Sequence, residues 1–324
     1  MDNYILFVYP SILCLLILLY IYLKKMDYYF PSKIFYTIVI GVILLFLYSI
    51  SSPFYKSSLI RNDNKVILQI NHNSGFFSCC SIKLSDIIVY FNLYKKIPDY
   101  VDSSTQFSWY KNDINKDKDI TFDYFKPPLG NITYVNNIVY NHNDQFAIYK
   151  NFQFDPILPF ITTYFSPSDN IVSIKNTIKN KYNINSENTC VLFYRGNDKN
   201  TETGTCSYDD MIRYGKEVQL KEPSIRFMIQ SDETDFITKM TKVFPNSFIC
   251  KDEIRHMNNK NSTVDKVFKN DNYEFSKNYL AITLLMAEAN YLICGSGNCS
   301  IWIIFYRKHT NRLYQFLDGK WYLS

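Results

Sequence analysis

Arg195, Asp198, Lys199 and Glu202 fall within eight residues, directly after the apolar run Cys190-Val-Leu-Phe-Tyr194. A planar guanidinium can grip a phosphate through two parallel hydrogen bonds. A carboxylate on the same rim can take a proton from a hydroxyl. The run reads as a short buried strand, stopped by the turn chemistry of Gly196, Asn197 and Asp198. Charges just past the carboxyl end of such a strand lie where open α/β sheets bind ligands. The plainer reading is a solvated loop with a local ion pair. A second stretch weighs against it. Asn290-Tyr-Leu-Ile-Cys294 is another short apolar strand, followed by Gly295-Ser-Gly-Asn-Cys-Ser300 and the apolar Ile301-Trp-Ile-Ile-Phe-Tyr306. Strand, small-residue loop and helix together offer backbone N–H groups to an anion. On this reading Arg195 and Asp198 would face Ser296, Gly297 and Asn298 across one phosphate site.

The elements that must position these loops can be read on both sides. Lys65–70 predicts a strand, 71–78 a turn, and 82–97 a helix with Leu84, Ile87, Ile88, Phe91 and Tyr94 on one face. Residues 99–166 are aromatic, turn-rich and irregular, broken by Phe125-Lys-Pro-Pro-Leu-Gly130. From Ser168, a candidate helix cap, the pattern alternates. Strands are expected at 190–194, 225–230, 247–250 and 290–294, and helices near 207–219, 233–244 and 275–289. Alternation of this kind predicts a parallel, doubly wound α/β sheet. The expected domains are 57–166, an N-terminal α/β domain, and 167–324, a Rossmann-like half.

The chain has 324 residues, a net charge of +5 and 17% aromatic residues, which excludes a disordered composition. Its basic residues are spread out, so no nucleic-acid stripe is expected. Residues 1–56 read as a membrane anchor and linker. Uncharged stretches at 4–23 and 34–50 are long enough for one or two transmembrane helices. Lys24, Lys25 and Lys33 between them favour a cytosolic loop, with the catalytic part lumenal in the endomembrane system. Asn131 and Asn261 each head an Asn-x-Ser/Thr triplet. Eight cysteines and four histidines show no metal-ligand spacing, and the acidic Ser231-Asp-Glu-Thr-Asp235 reads as helix-cap chemistry. No metal is expected.

Taken in order, these stretches resemble the fucosyltransferase group of GT-B glycosyltransferases, the α1,6-fucosyltransferases above all and the protein O-fucosyltransferases more loosely. Phe193-Tyr-Arg-Gly-Asn-Asp-Lys199 stands for the family's His-x-Arg-Arg-x-Asp-Lys loop. Gln230-Ser-Asp-Glu-Thr-Asp235 and Phe244-Pro-Asn246 stand for its Thr-Asp-Asp and Tyr-Pro-Asn segments. Leu292-Ile-Cys-Gly-Ser-Gly-Asn298 stands for its last strand and loop. Asn73-Ser-Gly-Phe-Phe-Ser78 resembles its first glycine loop. Phe193 and Gly196 replace a His and an Arg, and Ile282 stands where the α1,6 enzymes carry an acidic residue. The resemblance implies a GT-B-like fold with two Rossmann-type domains facing a cleft. It implies no cofactor beyond a nucleotide-sugar donor, GDP-linked, and a glycan or protein acceptor. It places Arg195 on the β-phosphate and makes Glu202 the general base, with Lys199 beside it. Asp232 or Glu233 would face the base or ribose. The alternative is a membrane-anchored binding protein that keeps the same fold without turnover.

Overall fold

Ser58–Asn62 (β1) and Lys65–Gln69 (β2) open the described chain as an antiparallel pair, and Tyr100–Asp102 (β3) joins β2 in parallel. The computed structural model describes residues 57–62, 65–133, 136–197, 199, 203–258 and 262–324. The expected membrane stretches at 4–23 and 34–50 lie outside them. β1 was not among the strands expected from the sequence. It is an edge strand with Ile60 largely exposed, so its sequence lacks the apolar alternation that marks a half-buried strand.

Phe76–Tyr94 (α1) follows β2. It begins six residues before the expected start, because Phe76 and Phe77 turn inward as its first helical residues. Lys95 ends it in the left-handed conformation at φ 53°, with its N–H on Phe91 O at 2.7 Å. Among the described residues α1 is the one helix long and apolar enough to cross a bilayer. Its most apolar window is 78% buried within the protein, which makes it a core helix. Thr121–Tyr124 (α2) and Leu158–Tyr164 (α3) punctuate the irregular aromatic stretch.

The chain then alternates as the pattern predicts. Asp169–Lys181 (α4) starts at Ser168, whose hydroxyl accepts the N–H of Ile171. Thr189–Tyr194 (β4) is buried at every position, as expected of a strand covered on both faces. Tyr208–Lys221 (α5), Arg226–Ser231 (β5), Thr234–Val243 (α6), Ser247–Phe248 (β6), the single turn Val264–Val267 (α7), Asn272–Glu288 (α8), Tyr291–Gly295 (β7), Asn298–Arg307 (α9), Leu313–Leu317 (β8) and Lys320–Leu323 (β9) complete it. The six-stranded sheet runs β6-β5-β4-β7-β8-β9, parallel except for β9.

The parallel α/β sheet is therefore present. Residues 57–324 form one compact unit. The described residues before 167 carry a three-stranded sheet with α1, α2 and α3. That sheet is too small to be doubly wound, and α1 buries itself against the larger half instead. Trp302 on α9 is fully buried at that join. Its ring lies 5.9 Å from Phe77 and 4.7 Å from Phe165, and its Nε1–H donates to Ser81 Oγ at 2.9 Å. Ser81 in turn donates to Asn298 Oδ1 at 2.8 Å. Trp302→Ala should therefore cost about 3–5 kcal/mol of unfolding free energy, read as a lower urea midpoint with unchanged slope.

Candidate functional site

The order of the sheet decides where a ligand can enter. The chain leaves β4 towards β5 on one side, and leaves β7 towards β8 on the other. A crevice opens at the carboxyl ends of two neighbouring strands whose connections diverge. Here it is a cavity of about 410 Å³. Arg195 and Lys199 reach it from the loop after β4, Asp232 from the end of β5, and Ser296, Gly297 and Asn298 from the loop after β7. Ser74 and Gly75, just before α1, and Phe76–Ser78 in its first turn also line it. The two stretches singled out in the sequence thus meet, and Ser74–Ser78 of the glycine-loop resemblance line the same cavity.

Asp232 organises the Arg loop. Arg195 Nε–H donates to its Oδ2 at 2.7 Å, Gly196 N–H to its Oδ1 at 3.0 Å, and Asn197 Nδ2–H to its carbonyl at 2.6 Å. The Asp232 side chain is 5% exposed and that of Arg195 25%. The carboxylate therefore fixes the plane of a guanidinium that is itself part of the cavity wall. The expected capping role of Asp232 is not what the structure shows. α6 begins at Glu233 with no side-chain cap, because the Asp232 carboxylate is committed to the Arg loop. Glu233 is buried behind the cavity wall rather than lining it. It lies beside Gly196 and hydrogen-bonds the Tyr208 hydroxyl, whose pKa is raised first by burial and then by that contact. Asp198 and Glu202 lie outside the described residues. Ile282 is fully buried inside α8, away from the cavity.

The loop after β7 departs from expectation in its donors. The Ser296 N–H binds Phe316 O at 3.0 Å and the Gly297 N–H binds the Tyr149 hydroxyl at 3.2 Å. Those two amides staple the loop to β8 and to Tyr149 rather than facing a ligand. Gly297 has φ 149°, a conformation that favours glycine. The amides available to an anion come one step later. The helical ladder of α9 begins with Ile301 N–H on Gly297 O, so Asn298, Cys299 and Ser300 present first-turn amides. α9 has no side-chain cap, whereas at the start of α1, which lines the same cavity, the Phe76 N–H is taken by the Tyr110 hydroxyl at 2.8 Å. Two helix starts, each with the positive end of its dipole, therefore border the cavity that holds Arg195 and Lys199.

Four further cavity residues had no role assigned from the sequence. Asp265, on α7, accepts the Tyr110 hydroxyl at 2.9 Å across 155 positions of sequence, and tertiary proximity of that range leaves no local pattern to read. Burial raises its carboxyl pKa, opposed by the Tyr110 hydrogen bond and by Arg195 and Arg255. Gln145 and Gln230 are both buried, and neither side-chain carbonyl oxygen has a hydrogen-bond partner among the described residues. Cys299 also lines the cavity, its thiol pushed up to about 11 by burial.

No family model and no curated protein matches the chain. Two solved structures of NodZ alpha-1,6-fucosyltransferase are similar to it. The one soaked with GDP-fucose shows 8% identity over 53% of this chain and 53% of that chain, with a TM-score of 0.35. The one co-crystallized with GDP shows 10% identity over 53% of this chain and 52% of that chain, with a TM-score of 0.37. The chain thus spans about half the length of the structures it matches.

Gly196 gives a direct test of this geometry. A Cβ there would overlap the Glu233 carboxylate and come within 2.9 Å of the Tyr194 ring. Both neighbours are buried, so the loop must shift. Gly196→Ala should destabilise the protein by about 1–3 kcal/mol in chemical denaturation, while Gly204→Ala, whose Cβ would meet nothing within 4 Å, should leave the midpoint nearly unchanged.

Proposed function

We propose that this chain is a membrane-anchored, inverting and metal-independent glycosyltransferase. It transfers a sugar from a nucleoside-diphosphate donor, with GDP-fucose the first choice, to a glycan or protein hydroxyl. The carrying observation is the convergence of Arg195, Lys199 and the uncapped start of α9 on one cavity at the divergence of β4 and β7. As the glycosidic bond breaks, negative charge grows on the departing diphosphate. Fixed cations and oriented amides stabilise that charge without reorganising. They supply the countercharge that a divalent ion would otherwise bring. The unpartnered carbonyls of Gln145 and Gln230 suit the N–H and O–H groups of a nucleoside and a sugar, which a bare phosphate lacks. The anchor rests on the uncharged stretches at 4–23 and 34–50, which would hold the catalytic part at a lumenal membrane face.

A binding protein without turnover is the second reading, favoured by Phe193 and Gly196 where the family carries His and Arg. The two readings share the diphosphate site and differ in turnover. GDP should bind equally well with and without EDTA in calorimetry; abolition by the chelator would overturn the metal-independent route. Arg195→Ala should weaken GDP binding by about 1.5–3 kcal/mol. Arg195→Lys should recover only part of that, because an ammonium is a point charge rather than a fork. Full affinity in a folded Ala variant would reduce Arg195 to the structural partner of Asp232.

A further inference from the structure

We propose that Asp265 is the carboxylate that takes the proton from the acceptor hydroxyl, and that Tyr110 is its positioning residue. The proposal rests on the glycosyltransferase reading above and assigns that reaction a base. Asp265 lines the same cavity as Arg195. Tyr110, 2% exposed, donates its hydroxyl to Asp265 Oδ2 at 2.9 Å and accepts the N–H of Phe76, the first residue of α1, at 2.8 Å. The phenol is thereby held from both sides. The backbone is held as well. Asn272 Nδ2 donates to Trp109 O and to Asp265 O, both at 3.0 Å, and the Lys266 ammonium sits 5.1 Å from the Trp109 ring centre. A short turn is thus pinned to a distant segment so that one carboxylate has a fixed place in the cavity wall.

The neighbouring charges suit the role. Arg195, Arg255, Asp232 and the phenols of Tyr110 and Tyr279 surround the Asp265 carboxylate electrostatically, with Lys266 next in sequence. Asp232 is committed to Arg195 and Gly196. Asp265 faces the cavity with burial holding its proton affinity above that of an exposed aspartate, which strengthens it as a base. In the reaction the acceptor O–H proton passes to Asp265 as the acceptor oxygen bonds to the sugar's anomeric carbon. The bond from that carbon to the diphosphate oxygen breaks, and its electron pair stays on the diphosphate, beside Arg195.

The test uses the full chain, GDP as binding probe and GDP-fucose turnover as the rate. Asp265→Asn should bind GDP as tightly as wild type or more tightly, since a negative charge near the phosphate is gone, while turnover falls ~10²–10⁴-fold. Retained GDP affinity also reports that the variant is folded. Tyr110→Phe removes a hydrogen bond that favours the ionised carboxylate. It should move the acidic limb of the kcat/KM profile to higher pH, which a purely structural tether would leave in place. Wild-type turnover in Asp265→Asn, or an unmoved acidic limb in Tyr110→Phe, would overturn the proposal. Loss of turnover in Glu202→Gln with turnover kept in Asp265→Asn would give the proton to Glu202 instead. A wild-type chain that neither binds GDP nor consumes GDP-fucose would overturn the glycosyltransferase reading and this role together. A wild-type chain that binds and turns over, matched by Asp265→Asn, removes Asp265 alone.

Discussion

One carboxylate holds the site together. Asp232 accepts from the side chain of Arg195 and from the backbone of Gly196, and its carbonyl accepts from Asn197 and from the N–H of Met257. A single residue at the end of β5 therefore ties the loop after β4 to its own strand and to the segment leading towards α7. A buried carboxylate is tolerable only when its oxygens are satisfied, and here the Arg195 guanidinium also meets its charge. The consequence runs in both directions. The cavity-lining Arg195 owes its orientation to Asp232, and the Asp owes its burial to the Arg.

Around that pair the parallel sheet supplies the geometry. Its strands end together, so every loop leaving a carboxyl end opens on the same edge, and the divergence at β4 and β7 leaves one gap among them. Helices follow the strands, which brings their positive ends to the same edge. The fold and the electrostatics of the cavity are therefore one arrangement. A chain that alternates strand and helix in parallel collects amide donors at one rim before any specific side chain is added.

What could be read from the sequence follows the range of the interactions. β4, β5 and β7 announce themselves as short apolar runs because both faces are covered, and the helices between them carry the 3.6-residue spacing of a one-sided core contact. Arg195, Lys199 and the loop at Ser296–Asn298 were legible because each directly follows such a strand. Of the small N-terminal sheet, β2 was legible at 65–70, while β1 was not, since it is an exposed edge with no clean alternation. The donors of the β7 loop were misassigned for a similar reason. Nothing local to Ser296 and Gly297 shows that their amides are taken by Phe316 and Tyr149, residues brought in from β8 and from the irregular aromatic stretch. Asp265 and Tyr110 are the extreme case, because their partnership exists only in three dimensions.

The hydrogen bonds that join α1 to α9 have a thermodynamic consequence. Ser81 to Asn298 and Trp302 to Ser81 hold the two helix starts to each other when the chain folds. The entropy of arranging the donors is thus lost at folding and need not be lost again when a ligand arrives. A substitution in that seam, touching no ligand atom, would return the ordering cost to the binding step. It would appear as weaker affinity with a more unfavourable binding entropy.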